Sequence, residues 1–386
     1  MRVEERYLIT LVDAVLNGKK CENPPEKFEF KYFVNLSRAH SVDNLVYYAI
    51  TRNDLIFPND IFEGIKAGFR DHSIRYASNS AELEYVARLF DDNEIEYILL
   101  KGSIIRKLYP SPDMRTSCDV DFLCKQEDTK KIEQLMVSSG FEYTNEGDSV
   151  DSYKKFPYVS FEIHKELMGN REKFDCVKKP WERAVALENT KYGKQLCLED
   201  FYLYMIAHTV KHFSSGGTGI RPVIDLYIFL KNYNNLIDWA YVNNTLAEHS
   251  LLKFNNELKK LSNVWFNGGT SDEFTESLTA FIINSGTFGN KSTLSAQDEI
   301  YRRKGTVIVK KVSILKVAFL SYKNMCIRYP LLNRVPILLP YYWLVRIIDV
   351  LFNKQDNLKE LLNKTPKVSE NEVNKIDKLL TDLEIL

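Results

Sequence analysis

The run Asp119-Val120-Asp121-Phe122-Leu123-Cys124 puts two carboxylates two residues apart among apolar neighbours. In an extended strand, residues i and i+2 point to one face about 6.7 Å apart along the chain. Two acids placed that way repel each other unless a cation lies between them, and Mg²⁺ prefers such hard oxygen ligands. Solvent-facing acids at a sheet edge are the plain alternative. A third acid, Glu162, lies in Val159-Ser160-Phe161-Glu162-Ile163-His164, where Phe161 and Ile163 face one way and Glu162 and His164 the other. Gly102-Ser103 follows the apolar run 97–100 and Lys101, where a strand passes into a helix. Glycine permits close backbone approach, the seryl hydroxyl can donate, and free N–H groups at a helix start attract phosphate. Each feature is weak alone. Together they make a phosphate cradle, two metal-bridging aspartates (Asp119 and Asp121) and a third carboxylate, Glu162, on a neighbouring strand. Two metals roughly 3.5–4 Å apart activate an attacking hydroxyl and stabilise a leaving pyrophosphate, and phosphoryl-type transfer needs little beyond position and countercharge.

These residues need a scaffold, and the apolar pattern supplies one. Leu8, Leu11, Val12, Val15 and Leu16 recur at helical spacing, and 81–90 repeats the pattern. Breaks fall at Pro24, Pro25 and Pro58. Near residue 95 the texture changes to short strands at 97–100, 119–124, 152–156 and 159–167, with one or two helical turns at 104–109. A helix opens at Asp128 and Thr129 and stops at Gly140. From Glu199 helical periodicity returns and runs to Leu386. The expected class is α+β: a small mixed β-sheet core at 93–195, flanked by an N-terminal helical region at 1–92 and a C-terminal one at 196–386.

At 386 residues the chain suits two or three packed units. Lysine plus arginine equals aspartate plus glutamate at 52 each, so net charge argues for no polyanionic partner. The six cysteines (Cys21, Cys118, Cys124, Cys176, Cys197, Cys326) show no C-x-x-C spacing, which predicts reduced thiols. The charged N-terminus lacks the pattern of a signal peptide, and no stretch is long and uncharged enough to span a bilayer. The default expectation is a cytoplasmic protein.

The series Leu100-Lys101-Gly102-Ser103, Tyr109-Pro110, Arg115, Ser117 and Asp119-Val120-Asp121-Phe122-Leu123 resembles the polymerase β nucleotidyltransferase superfamily. More narrowly it is similar to a bacterial nucleotidyltransferase family often met near surface-polysaccharide genes. Glu162-Ile163-His164 and the stretch His208, His212, Arg221, Asp225 fit that pattern, so the motifs span about 95–230. The resemblance implies transfer of a nucleoside monophosphate from a nucleoside triphosphate such as ATP to an acceptor hydroxyl, with a glycan or lipid-linked precursor as acceptor. It implies that Gly102 and Ser103 hold the β- and γ-phosphates, and that Asp119 and Asp121 bind two ions of Mg²⁺ (or Mn²⁺). Glu162 would bind one of them and help activate the acceptor. Many members have aspartate there, one methylene shorter. An RNA-modifying, toxin-type enzyme and a non-catalytic nucleotide-binding regulator are the alternatives.

Lys101 and Arg115 flank the acids and are expected to neutralise triphosphate charge. Arg115 is favoured because a guanidinium grips phosphate oxygens in pairs, against an alternative in which it ion-pairs with Asp113. His208 and His212 share a helix face at i and i+4, but no third ligand of firm spacing supports zinc. The loop Ser214-Ser215-Gly216-Gly217-Thr218-Gly219 is expected to bring Arg221 and Asp225 toward the nucleotide. Residues 300–348 hold no acid and ten Lys or Arg among aromatic and aliphatic residues. Packing of their stems over a helical core and contact with the inner face of a membrane both fit; nucleic-acid contact fits less well.

Overall fold

The apolar repeats of the N-terminal quarter form four helices in the computed structural model, which describes residues 1–145, 149–168, 172–287, 289–304, 322, 325, 329–333, 335–352 and 368–386. Helix α1 (Val3–Asn17) buries Leu8, Leu11, Val12 and Val15 and ends at Gly18 in the left-handed conformation. α2 (Phe30–Ala39) and α3 (Asp43–Asn53) follow. α4 (Asn59–Asp92) is 34 residues long, about 50 Å at the helical rise, and Pro58 marks its start as expected.

Seven strands lie between 97 and 195: β1 (Tyr97–Leu99), β2 (Val120–Cys124), β3 (Glu142–Asn145), β4 (Val150–Lys155), β5 (Val159–His164), β6 (Val185–Ala186) and β7 (Gly193–Gln195). They form one sheet in the order β3-β4-β5-β2-β1-β7-β6. β2 runs parallel to β5 and β1 parallel to β7, while the other neighbours are antiparallel. The sheet is therefore mixed, and with flanking helices the class is the α+β one expected. β3, β6 and β7 were not legible in the pattern; β6 and β7 are two and three residues long and carry no apolar alternation.

Among the described residues the remaining helices are α5 (Lys101–Ile105), α6 (Thr129–Ser138), α7 (Leu198–Phe213), α8 (Arg221–Tyr233), α9 (Trp239–Glu248), α10 (Leu252–Phe266), α11 (Glu273–Ser285), α12 (Lys291–Arg303), α13 (Leu339–Phe352) and α14 (Glu370–Asp382). One sheet face is dry. Val120, Phe122, Phe161 and Ile163 pack there with Val86 and Phe90 of α4 and Ile132 and Met136 of α6. Phe122 meets Phe161 edge-on at 5.7 Å and Tyr97 at 5.4 Å, the favoured geometry for aromatic quadrupoles. Because side chains alternate along a strand, filling this face with apolar groups fixes Asp121, Glu162 and His164 on the other.

The chain divides into two compact units, residues 1–289 with 379–386, and residues 290–378. In the second, Met325 and Leu332 are buried among Tyr329, Leu338, Leu339, Tyr342 and Trp343. Much of the basic stretch, including Lys310, Lys311, Lys316, Lys323, Arg328 and Arg334, lies outside the described residues. Among the described residues no helix is long and apolar enough to cross a membrane. The five described cysteines are unpaired.

The glycine-rich loop 214–219 is a packed junction. Gly217 has φ +97°, and an added Cβ there would fall 2.1 Å from Ser285 Oγ. At Gly219 it would fall 2.8 Å from His40 Nδ1 and 2.9 Å from the Thr287 amide nitrogen. His40 is fully buried beside this loop. It donates from Nε2 to the Ile283 carbonyl at 3.0 Å and accepts at Nδ1 from the Ile220 amide at 3.3 Å, so the neutral ring satisfies both. Burial pushes its pKa down to about 4. The unfolded chain, with histidine near 6.5, takes up a proton that the folded chain refuses, so stability falls as pH drops from about 6.5 to 4. Between pH 7 and 5, wild type should lose on the order of 1–2 kcal/mol more unfolding free energy than His40→Asn, as read by urea denaturation at the two pH values. Equal losses would show that the junction does not depend on a neutral His40.

Candidate functional site

β2 and β5 are in parallel register with Asp121 opposite Glu162 and Leu123 opposite His164. Adjacent strands lie about 4.8 Å apart, so the two carboxylates are forced to be neighbours. The alternation of β5 is clean: Val159, Phe161 and Ile163 are buried, and Ser160, Glu162 and His164 partly exposed. His164 Nε2 lies 3.0 Å from Asp121 Oδ1 and 3.6 Å from Glu162 Oε2. Each of these three residues offers a ligand atom within 4.8 Å of the others. Burial opposes charge on His164, but the hydrogen bond and charge of Asp121, with the charge of Glu162, outweigh it and raise the pKa.

Asp119 stands just before β2, outside that group of three, with Ser117 Oγ 2.9 Å from its carbonyl and 3.2 Å from Oδ1. Burial and then the charge of Asp121 raise its pKa. This is the like-charge repulsion that the i, i+2 spacing implies. Gly102 and Ser103 occupy the first turn of α5, as the strand-to-helix reading required. A Cβ on Gly102 would sit 3.3 Å from Arg115 Nη1, so the glycine lets the guanidinium close on the turn. With only five residues α5 has a small dipole, and most countercharge must come from side chains.

Four cations supply it. Lys101 is buried, and among the described residues no carboxylate pairs with it. Burial pushes its ammonium down to about 8, against the attraction of Asp225 and Asp121. Arg106 is buried, donates from Nε to the Gly102 carbonyl at 3.1 Å and leaves Nη2 with no partner. Arg221 donates from Nη1 to the Thr116 carbonyl at 2.8 Å, and Asp119 lies within its electrostatic reach.

Arg115 is placed differently from the free phosphate grip that its position suggests. Its Nε and Nη2 donate to the two Asp225 oxygens at 2.8 and 2.9 Å, and Tyr109 donates to the same carboxylate at 2.8 Å. Side-chain exposure is 8% for Arg115 and 1% for Asp225, so this is a fully desolvated pair. Asp113, the sequence alternative, instead accepts from Tyr48 at 3.0 Å and from Ser111. Asp225 therefore reaches the site through Arg115, holding it while Nη1 faces Gly102.

Residues of α7 lie within electrostatic reach of the polar sheet face. His208 is held neutral chiefly by burial and then by the charge of Lys101, and His164 also acts on it. His208 and His212 stand Nε2 to Nε2 at 3.3 Å, an N–H···N bond of two neutral rings; His212 is exposed. Tyr204, buried on the same helix, lies within electrostatic reach of Asp121 and Glu162. Neither Tyr204 nor Arg106 is marked by the sequence; their one signal is spacing, four residues from His208 and from Gly102. Two clefts lie away from these donors. One of about 580 Å³ is lined by Leu83, Tyr97, Ile104 and Thr190, and one of about 300 Å³ by Cys176, Arg183, Asp200 and Tyr241. Neither is lined by Asp119, Asp121 or Glu162.

Residues 26–267, more than half of the chain, match the family described as "Uncharacterised nucleotidyltransferase". The chain belongs to that nucleotidyltransferase family. No curated protein matches it. Among solved structures it is similar to an antigenic nucleotidyltransferase-like protein from Paracoccidioides brasiliensis. The identity is 17%, over 49% of this chain and 91% of that one, with a TM-score of 0.29, a likeness too distant to bear on the argument.

In this nucleotidyltransferase the Arg115–Asp225 pair sets a stability term that can be measured. Burial would raise the Asp225 pKa, but the charge and hydrogen bonds of Arg115, with Lys101 and Tyr109, bring it to about 2. Its contribution is present above the unfolded value near pH 4 and disappears as pH falls through 2. Asp225→Ala leaves a buried guanidinium unpaired and should cost about 3–5 kcal/mol in urea unfolding at pH 7. A loss below about 1 kcal/mol would mean that water replaces the carboxylate and the pair is not sealed.

Proposed function

We propose that the protein transfers a nucleoside monophosphate from a nucleoside triphosphate to an acceptor hydroxyl and releases pyrophosphate. The observation that carries this is the register of Asp121 with Glu162, with Asp119 at the strand mouth, facing Lys101, Arg106, Arg115 and Arg221. Among the described residues only Arg115 of these four is ion-paired. Three acids gathered on one face need cations, and a wall of buried, largely unpaired cations needs a polyanion. A triphosphate with divalent metal answers both needs at once.

The donors fit such a metal: carboxylate oxygens and one imidazole nitrogen with ligand atoms within 4.8 Å of each other. When bound, the ion would polarise the α-phosphate and offset the charge that gathers on the leaving pyrophosphate. The rest falls to the chain. Gly102 and Ser103 let the phosphates approach the backbone, while Lys101 and Arg221 countercharge them. Arg115, held from behind by Asp225, adds a donor in fixed orientation. As the acceptor oxygen bonds to the α-phosphorus, the bond to the pyrophosphate oxygen breaks, and in this reading Glu162 draws off the hydroxyl proton. Family membership supports nucleotidyl transfer in general; the metal, nucleotide and hydroxyl acceptor are parts of this proposal.

Calorimetry with each nucleoside triphosphate, with and without Mg²⁺ or Mn²⁺, tests the reading. Wild type should bind only with metal, and Asp119→Asn/Asp121→Asn should not bind. Metal-dependent binding that survives the double substitution would sink it. With α-labelled nucleotide, Glu162→Gln should lower transfer by roughly 100-fold or more while circular dichroism is unchanged. Label recovered in tRNA would favour the RNA-modifying alternative over a small or lipid-linked acceptor, and binding without transfer would favour the regulator.

A further inference from the structure

We propose that His164 is itself a metal ligand, so that Asp121, Glu162 and His164 form an O,O,N centre that selects a transition-metal ion such as Mn²⁺ over Mg²⁺. The inference rests on the reading above, in which these acids hold a divalent cation, and adds a ligand and a metal preference to it.

Distances carry the argument. Two ligand atoms each about 2.1 Å from one ion are about 3.0 Å apart along an octahedral edge and about 3.4 Å apart along a tetrahedral one. His164 Nε2 stands 3.0 Å from Asp121 Oδ1 and 3.6 Å from Glu162 Oε2. His164 Nε2 thus stands from each carboxylate at close to the spacing of neighbouring ligands, and all three ligand atoms lie within 4.8 Å of one another.

The scaffold makes this placement hard to avoid. His164 is two residues beyond Glu162 on β5, so the two side chains share a face, and β5 is held between β2 and β4. Ile163 and Phe161 are buried on the opposite face, which prevents the strand from turning His164 away. With no cation, Nε2–H donates to Asp121; a bound ion takes the place of that proton, which leaves to solvent.

The donor chemistry sets the preference. Mg²⁺ demands near-ideal oxygen octahedra and binds imidazole poorly. Imidazole nitrogen suits the later divalent metals, and affinity for a mixed N,O site rises from Mn²⁺ onward along the first row.

The test uses the full chain and Mn²⁺ as probe. Pulsed EPR of bound Mn²⁺ should show coupling to one directly bound ¹⁴N, and calorimetry should give Mn²⁺ about tenfold or more tighter binding than Mg²⁺. In His164→Gln the coupling should vanish and the Mn²⁺ affinity fall about tenfold or more, with Mg²⁺ affinity within about twofold of wild type. Mn²⁺ bound without nitrogen coupling, in a site that Asp121→Asn abolishes, would overturn the proposal and leave the carboxylate centre standing. Coupling that persists in His164→Gln would assign the nitrogen to another histidine and overturn it too. Failure of wild type to bind Mn²⁺ or Mg²⁺ with or without nucleotide would overturn both this proposal and the reading beneath it.

Discussion

The desolvated pair of Arg115 and Asp225 is the interaction on which the arrangement of the site depends. It ties the segment that leads into β2 to helix α8, two parts of the chain 110 residues apart. Burying an ion pair rarely adds net stability, because desolvation offsets most of the attraction. What it does impose is geometry. A guanidinium held at two atoms by a carboxylate cannot rotate, and Tyr109 closes a third contact on the same group. With Arg115 fixed, Gly102 must remain without a side chain, Thr116 is positioned to receive Arg221, and Ser117 and Asp119 follow at a set distance from the mouth of β2.

Charge is the second constraint. The site concentrates acids on one sheet face and cations on the adjoining turn and helix, with few direct pairs between the two sets. Such an arrangement resembles an ion pair held open. Lys101 has its charged form disfavoured by burial, and Asp119 has its charged form disfavoured by burial and by Asp121. Both strains would be relieved by ligands of opposite sign, a cation for the acids and an anion for Lys101. This is the usual way in which a protein stores affinity at a site.

The sheet chemistry was legible because it is local. Alternation over six residues was enough to put Glu162 and His164 on one face, whereas Asp119 stands before the first residue of β2 and outside the group that Asp121 forms with them. The class and most of the helices followed from apolar periodicity in the same way. What could not be read depends on non-local pairing. The register that brings Asp121 opposite Glu162 joins residues 41 positions apart, and no local pattern specifies it. Arg115 has an acid two residues away in Asp113, yet its partner is Asp225, because Asp113 is taken by Tyr48 and Ser111. In the loop 214–219, Gly217 and Gly219 are demanded by the close approach of Ser285 and of His40 with Thr287, contacts that no local pattern shows, and residues 216–219 are buried. Tyr204 and Arg106 sit among apolar neighbours that mask them.

The separation of Arg115 from Asp225 also orders events on the ribosome. Translation adds about 5–20 residues per second, so Arg115 waits on the order of 5–20 s before its carboxylate is synthesised. Within that interval Asp119, Asp121 and Glu162 are all made, while the guanidinium of Arg115 has no permanent partner. A nascent chain at this stage carries acids and an unpaired cation without the clamp that separates their roles. The carboxylate that fixes Arg115 thus lies well downstream of the sheet, in helix α8, and the clamp cannot close before that helix has been made.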